Sequence, residues 1–296
     1  MRRKGGLIEK RLEAEGQIFP YLTGGCGAPL ILLHGFTANK DNFNKLSRHL
    51  TSHFTVYAPD WPGFGDSSRD LKADYSSDAQ VEHLYTFVTA LGIEKIHLIG
   101  SSLGGAFAAL FTAKYSDMVA SLCLICAAGT RENRESSLMQ DFRRTGKFPH
   151  LIKNPGDHWK KWNALFAVPI RLPYCVDYAM GLAAARDYEL HKTILTTLSE
   201  EPNLEDRCGV LFTPTLIITG DKDAIVPPES VYSLAKIFPA SIIKIFANVG
   251  HIPMVEAPDE TAREYFSFRR CLPAVPIGSS DGNSSRNFVG ACKDVC

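Results

Sequence analysis

The sequence has no net charge and no long apolar run. Its 32 basic residues are matched by 32 acidic residues, so the formal net charge is zero. Nucleic-acid-binding proteins normally carry a basic excess or stripe, and the balance argues against that class of partner. The longest apolar run, at 118–129, is shorter than the about 18 residues that a membrane span needs. We therefore expect neither a nucleic-acid partner nor a transmembrane segment.

A secretory signal and a disulfide framework are also missing. Residues 1–16 are basic but have no apolar core, and interspersed glutamates predict a solvated tail. Eight cysteines include one CxxC pair, Cys123 and Cys126, in an apolar run that predicts a strand. Positions three apart on a strand point to opposite faces, so this pair does not predict a metal site. We expect eight reduced thiols, no metal and a cytoplasmic protein.

Short apolar runs alternate with helical patterns in most of the chain. The runs predicted to be strands are 29–33, 55–58, 95–99, 120–125, 215–219 and 242–246. The patterns predicted to be helices are 41–51, 78–92 (with Asp78 as N-cap), 106–115 and 259–268. Strands that alternate with helices predict an α/β fold with a mostly parallel central sheet and helices on both faces.

The alternation stops at residues 131–207. This segment has no strand signal, and it holds twelve Lys/Arg, eleven Asp/Glu and eight aromatic residues. It therefore predicts amphipathic helices that form an insertion or a small second domain, beside a core of residues 1–130 and 208–271. Residues 272–296 are rich in Gly, Ser, Pro and Asn, a composition that predicts a loose tail.

The strongest local motif is Gly100-Ser101-Ser102-Leu103-Gly104, between a predicted strand and a predicted helix. Only Ser102 fits the central position of the pattern G-x-S-x-G. A side chain at such a sharp turn takes a strained backbone conformation, which small residues two positions before and after permit. The motif predicts a nucleophilic serine at position 102, and the alternative is an ordinary glycine-rich turn.

A base and an acid for this serine can be chosen from the ends of later strands. A serine hydroxyl needs a base to take its proton, and His251 follows both a predicted strand and Gly250. A carboxylate must then orient the imidazole. Asp223, which we favour over the turn residue Asp221, follows the strand at 215–219. The chain order Ser102, Asp223, His251 is that of α/β-hydrolases.

The loop after the first predicted strand can supply an oxyanion hole. It reads His34-Gly35-Phe36-Thr37. The N–H groups of Phe36 and Leu103 are predicted to bind the negative charge that develops on a carbonyl oxygen held over Ser102. His34 itself is predicted to be structural.

Two further motifs extend the pattern. Residues 60–67, DWPGFGDS, are similar to a D-x-P-G-x-G-x-S loop, and Gly220-x-x-Asp223 is similar to an acid-bearing turn. With these motifs the sequence resembles the α/β-hydrolase-fold serine hydrolases over residues 17–268. The resemblance implies the α/β-hydrolase fold, no cofactor, and a helical cap over the active site at residues 131–207.

A narrower resemblance rests on two stretches. Residues 34–43 and 121–126 resemble the abhydrolase-type monoacylglycerol lipases and related small bacterial lipases. We therefore expect a serine ester hydrolase that forms an acyl-enzyme on Ser102 and acts on a small-molecule ester or lipid with an apolar acyl chain. Peripheral membrane contact is compatible with this expectation, and the sequence does not indicate an oligomeric state.

Three aromatic residues of the insertion are candidate acyl contacts: Trp159, Trp162 and Phe166. Packing within the cap is the competing interpretation for each of them. Two alternative functions stay open. One is a carbon–carbon bond hydrolase of dienone acids, which needs a cationic group that the sequence does not locate. The other is a ligand receptor that keeps the triad but turns over slowly.

Overall fold

The computed structural model describes residues 6–272, which form one eight-stranded sheet with helices around it. The strands are β1 (Ile8–Ala14), β2 (Gln17–Gly24), β3 (Ala28–Leu33), β4 (Phe54–Pro59), β5 (Ile96–Ser101), β6 (Val119–Ile125), β7 (Thr215–Gly220) and β8 (Ile242–Phe246). Their order across the sheet is β1-β2-β4-β3-β5-β6-β7-β8. Only β1–β2 and β2–β4 pair antiparallel. The mostly parallel sheet is confirmed.

Helices connect the parallel strands and fill the segment between β6 and β7. In the described chain they are α1 (Asn44–Leu50), α2 (Ser77–Ala90), α3 (Leu103–Lys114), α4 (Arg131–Arg134), α5 (Ser137–Thr145), α6 (Trp159–Leu165), α7 (Tyr174–Arg186), α8 (Tyr188–Glu200), α9 (Leu204–Cys208), α10 (Ser230–Ile237), α11 (Pro253–Glu256) and α12 (Pro258–Arg270). Helices α4 to α9 occupy the stretch in which the sequence predicts a helical insertion, which we call the cap.

The sheet has an apolar core on each face. In β3, Ile31 and Leu33 pack into one core, while Leu30 and Leu32 pack into the other, since neighbouring side chains point to opposite faces. Helices α2, α3 and α10 contribute to the first core, and α1 and α12 to the second. Burial on both faces explains why the central strands are continuous apolar runs in the sequence.

The N-terminal segment is a β-hairpin, so the prediction of a solvated tail is wrong for residues 8–16. Strands β1 and β2 pair from Ile8–Thr23 to Ala14–Gln17. Glu15 and Gly16 join them with φ values of 50° and 72°, as a two-residue hairpin turn requires. Strand β1 lies at the sheet edge with mostly exposed side chains. It therefore lacks the apolar alternation that marks a strand.

Two helix starts differ from the prediction. The N-cap of α2 is Ser76, whose hydroxyl accepts a hydrogen bond from the Ala79 N–H at 3.3 Å. Asp78, predicted as this cap, instead lies in the first turn, where the positive end of the helix dipole stabilises its carboxylate. Helix α3 begins at Leu103, directly after the candidate nucleophile.

The cap leaves the sheet and returns to it at neighbouring points. The Leu204 N–H donates to the Gly129 carbonyl oxygen at 3.0 Å, which joins the two ends of the excursion. No helix within residues 6–272 is long and apolar enough to cross a bilayer. The six cysteines in this range are free thiols. Cys292, Cys296 and nearly all of the predicted loose tail lie outside the described residues.

Candidate active site

Ser102 occupies a strained turn between β5 and α3. Its φ of 54° and ψ of −119° lie where residues with side chains are uncommon. A Cβ on Gly100 would lie 2.3 Å from the Gly104 carbonyl oxygen, and one on Gly104 would lie 2.3 Å from that of Leu33. These contacts explain the small residues on both sides of Ser102. The Ser102 N–H donates to the Ile125 carbonyl oxygen at 2.9 Å, which fixes the turn on β6.

Asp223 and His251 form a buried hydrogen-bonded pair. The distance from His251 Nδ1 to Asp223 Oδ2 is 2.8 Å. The other carboxylate oxygen, Oδ1, accepts from the N–H groups of Ile225 and Val226 at 2.8 and 3.0 Å. Asp221 instead accepts from the Asn248 N–H at 2.7 Å and stays in the turn. The carboxylate of Asp223 is therefore the one that orients the imidazole.

The second ring nitrogen of His251 takes no part in the pair with Asp223. Nε2 is buried and has no hydrogen-bond partner within the described residues, although His251 and Ser102 line the same chamber. The His251 N–H donates to the Leu165 carbonyl oxygen of α6 at 2.8 Å. Glu256 accepts from the N–H groups of Gly250 and Ala167, both at 2.9 Å, and so ties the histidine loop to the cap.

The loop after β3 lies against the Ser102 side chain. A Cβ on Gly35 would lie 3.0 Å from Ser102 Cβ and 3.5 Å from Ser102 Oγ. The next residue, Phe36, lines the chambers on both sides of Ser102. This places the backbone of residues 35–36 beside the hydroxyl, as an oxyanion hole requires. The His34 ring bonds the Gly35 carbonyl oxygen at 2.9 Å, consistent with a structural residue.

A buried ion cluster anchors this loop to the loop after β4. Lys40 Nζ lies 2.7 Å from Asp60 Oδ2 and also bonds the Asp66 carboxylate. The backbone N–H groups of Lys40 and Asp66 donate to Asp60 at 2.6 and 2.8 Å. Since Lys40 is 2% exposed and Asp60 is fully buried, these bonds offset the cost of burying the charges. The D-x-P-G-x-G-x-S motif thus holds the loop that follows β3.

Two chambers of different chemistry meet at Ser102. The apolar chamber has a cavity volume of about 80 Å³ and is lined mainly by Leu110, Met139, Leu195, Leu198, Leu204 and Val226. The second chamber has a volume of about 440 Å³ and a largely apolar wall that also carries Thr37, Asn39, Asn42, Asn44, Lys161 and His251; we call it the polar chamber after these side chains. Both are lined by Phe36, Ser102 and His150. A substrate held at Ser102 can therefore extend an apolar chain into the first chamber and a polar group into the second.

The three aromatic residues predicted as acyl contacts do not line the apolar chamber. Trp162 lines the polar chamber, and its Nε1 donates to Asp177 at 3.1 Å. Trp159 is 49% exposed, and Phe166 packs on the core beside α1 and α12. Sequence periodicity shows which residues share a face of a helix. It does not show which face lines the active site, because the packing between helices determines that orientation.

Three residues at the site were not identified from the sequence. His150 lines both chambers, and burial lowers the pKa of its imidazole well below the usual value. Lys161 reaches the polar chamber from α6. The Cys126 sulfur, a carboxylate oxygen of Asp223 and a ring nitrogen of His251 lie within 4.8 Å of one another, and all three are atom types that can bind a metal. Burial raises the pKa of the Cys126 thiol. The hydrogen bond between Asp223 and His251 accounts for the proximity of those two groups, and the thiol lies 3.8 Å from Thr219 Oγ1 and 3.9 Å from the Gly250 carbonyl oxygen.

The comparisons with known proteins agree with this geometry. A family model described as alpha/beta hydrolase fold matches residues 28–258, which is most of the chain. The chain belongs to this family. The hydrolase is 36% identical to Lipase 1 of Psychrobacter immobilis, over 92% of the chain and 87% of the relative. It is 27% identical to the human monoacylglycerol lipase ABHD6, over 81% and 74%.

A solved structure extends the likeness to three dimensions. The hydrolase superposes on a bacterial membrane phospholipase A with a TM-score of 0.86 and 34% identity, over 91% of the chain and 87% of that structure. The predicted α/β-hydrolase fold and the resemblance to lipases are confirmed. The family and these relatives identify the protein as a carboxylic ester hydrolase.

Proposed function

We propose that this hydrolase cleaves esters of apolar acyl chains through an acyl-enzyme on Ser102. One observation carries the proposal: Ser102 lies where an apolar and a polar chamber meet. An ester of a fatty acid with a small polar alcohol has an apolar chain that suits the apolar chamber and a polar group that suits the polar chamber. Monoacylglycerols and related monoacyl lipids are the substrate class that this division favours.

The residues support a two-step mechanism without a cofactor. His251 Nε2 takes the proton of Ser102 as its Oγ attacks the acyl carbonyl carbon, and Asp223 stabilises the imidazolium. The N–H groups of Phe36 and Leu103 bind the oxyanion, and each donor contributes about 3–4 kcal/mol. His251 then protonates the departing alcohol. A water molecule, deprotonated by His251, releases the fatty acid and restores Ser102.

The acyl chamber can be tested by narrowing it. Leu195 lies on α8, is 9% exposed and lines the apolar chamber, so Leu195→Trp should shorten the space for the chain. Each methylene group that no longer fits loses about 0.8 kcal/mol of burial free energy. If two or three methylene groups are excluded, the ratio of kcat/KM for decanoate to kcat/KM for butyrate should fall about tenfold or more. The measurement is kcat/KM on p-nitrophenyl esters of graded length. Multiple turnovers in the same assay distinguish an enzyme from a slow receptor.

Trp162→Ala is the matched comparison, because Trp162 is a predicted acyl contact that lines the other chamber. We expect it to leave the decanoate-to-butyrate ratio unchanged. A ratio that falls in Trp162→Ala and stays constant in Leu195→Trp would place the acyl chain outside the apolar chamber.

We also propose that a segment of the cap contacts lipid surfaces. Residues 168–182 expose Val168 (75%), Tyr174 (74%) and Leu182 (52%). Large exposed apolar patches mark interaction sites, and Met180 of the same segment lines the polar chamber, so substrate can pass from a lipid surface to Ser102. Val168→Asp combined with Tyr174→Asp should abolish flotation with phosphatidylcholine vesicles and spare hydrolysis of p-nitrophenyl butyrate.

Phe212→Asp provides the control for this surface. Phe212 is 77% exposed but lies between α9 and β7, outside the stretch 168–182. It should leave flotation unchanged. Equal loss of flotation in both variants would mean that general surface hydrophobicity, and not the cap, determines vesicle binding.

A further inference from the structure

Lys161 is a cation at the active site without a carboxylate partner. It lies on α6 and lines the polar chamber together with Ser102 and His251. Within residues 6–272 its ammonium group forms no ion pair, and Nζ donates to the Thr37 carbonyl oxygen at 2.9 Å. Removing a charge from water is costly unless it is paired, so an unpaired ammonium here favours an anionic ligand.

The histidine side chains around Lys161 do not neutralise the positive charge of its ammonium group. Burial lowers the pKa of four imidazoles, those of His34, His150, His158 and His191, and the positive charge of Lys161 adds to each shift. These rings are therefore neutral near pH 7. Burial also lowers the pKa of Lys161 itself to about 8. The ammonium is thus still largely protonated at pH 7, in neutral surroundings.

The other charged groups near the chamber have partners of their own. Asp41 is the carboxylate among the polar chamber's lining residues, and it accepts from Asn44 Nδ2 at 2.7 Å. Asp177 bonds the His158 ring at 2.8 Å, and Asp187 pairs with Arg186 at 2.7 Å. An anion that enters the polar chamber therefore meets a cation not already paired with a carboxylate.

Lys161 is also close to the chemistry. The carbonyl that it holds belongs to Thr37, the residue after the proposed oxyanion donor Phe36. An ammonium group has three N–H donors, and the bond to Thr37 uses one of them. The two others are available to a group on the alcohol moiety of an ester whose carbonyl lies at Ser102.

We propose that Lys161 binds an anionic oxygen, of a phosphate or a carboxylate, carried by the alcohol moiety of the substrate. The proposal rests on the proposed function, because it assumes that the alcohol occupies the polar chamber during attack by Ser102. It narrows the substrate class to monoacyl esters of anionic alcohols. It also supplies the cationic group that the sequence alone does not locate.

The test compares decanoyl esters of three alcohols, all below their critical micelle concentrations: glycerol, glycerol 3-phosphate and glyceric acid. The wild type should favour one or both anionic esters in kcat/KM. A hydrogen bond to a charged group contributes about 1.5–3 kcal/mol, so Lys161→Met should lower kcat/KM on the favoured ester by about 10- to 100-fold. Activity on decanoylglycerol should fall by a smaller factor than activity on the favoured ester.

Matched variants separate charge from structure. Lys160→Met removes the neighbouring lysine, which is exposed and pairs with Asp157 at 2.9 Å, and should leave all three rates unchanged. Lys161→Gln keeps a donor for Thr37 without the charge and should reproduce the selective loss of Lys161→Met. Lys161→Arg should retain the anionic preference. Thermal unfolding of each variant checks that it folds.

The outcomes either identify the anionic group that Lys161 binds or reject the anion site. A selective loss on the phosphate ester, on the glycerate ester or on both supports the proposal and identifies phosphate, carboxylate or either as the group bound. An equal loss on all three esters overturns it and leaves Lys161 as a positioning residue for Thr37. A wild type that prefers decanoylglycerol also overturns it.

Calorimetric titration separates this proposal from the proposed function. Glycerol 3-phosphate or glycerate should bind the Ser102→Ala protein at least tenfold more tightly than it binds Ser102→Ala/Lys161→Met. If the wild type hydrolyses none of the esters but this difference in binding is measured, the proposed function fails and the anion site stands. Hydrolysis with no difference in binding or in rate rejects the anion site alone.

Discussion

Ser102→Ala is expected to lower kcat by about 10⁶-fold, because it removes the atom that forms the acyl-enzyme. The turn should tolerate the smaller alanine side chain, because a backbone hydrogen bond to β6 holds residue 102 in place. Thermal unfolding should therefore change little. Ester hydrolysis at saturating substrate gives kcat, and labelling by a fluorophosphonate probe should be lost in parallel.

Ser101→Ala is the matched control, one residue away on the same strand end. The Ser101 side chain is buried, and its Oγ lies 3.9 Å from the Met254 sulfur, although Ser101 also lines the polar chamber. We expect its kcat to remain within about tenfold of the wild type, which is 1.4 kcal/mol of activation free energy. Full activity in Ser102→Ala, or a larger loss in Ser101→Ala, would reject Ser102 as the nucleophile.

Asp223→Asn is expected to lower kcat by about 10⁴-fold, because an amide favours the wrong tautomer of the base and cannot stabilise its charged form. The amide oxygen of asparagine can still accept from the N–H groups of Ile225 and Val226, so the loop should keep its shape. The measurement is kcat on p-nitrophenyl decanoate at saturation.

The neighbouring carboxylate provides the comparison for Asp223. Asp221 bonds the Asn248 backbone and contacts neither His251 nor Ser102 through a hydrogen bond. Asp221→Asn should therefore affect stability more than turnover. A greater fall in kcat for Asp221→Asn than for Asp223→Asn would reverse the assignment of the acid.

The positions of the proposed triad residues could be predicted because each follows a strand of a parallel sheet. The carboxyl ends of such strands meet at one edge, so Ser102, Asp223 and His251 converge without knowledge of side-chain packing. The motif around Ser102 adds a steric requirement that its neighbouring glycines satisfy. Local sequence therefore contained most of the information about the reacting groups.

The cap could not be predicted at the same level. In α6 the sequence suggests Trp159 as an acyl contact and gives no sign of Lys161, yet Trp159 is 49% exposed and Lys161 lines the polar chamber. Contacts with Thr37 and His251, distant in sequence, determine how this helix is rotated. The edge strand β1 was missed for a related reason, since its exposed charged side chains do not show the alternation of a half-buried strand.

The hydrogen bond between Leu204 and Gly129 has a consequence for how such a protein can diversify. Because the cap begins and ends at one point, the sheet sets no length for the chain between them. Insertions, deletions or an entirely different set of helices there need not disturb the register of β6 and β7, which pair directly. Substrate range can thus change in the cap while the strands that carry Ser102 and Asp223 keep their register.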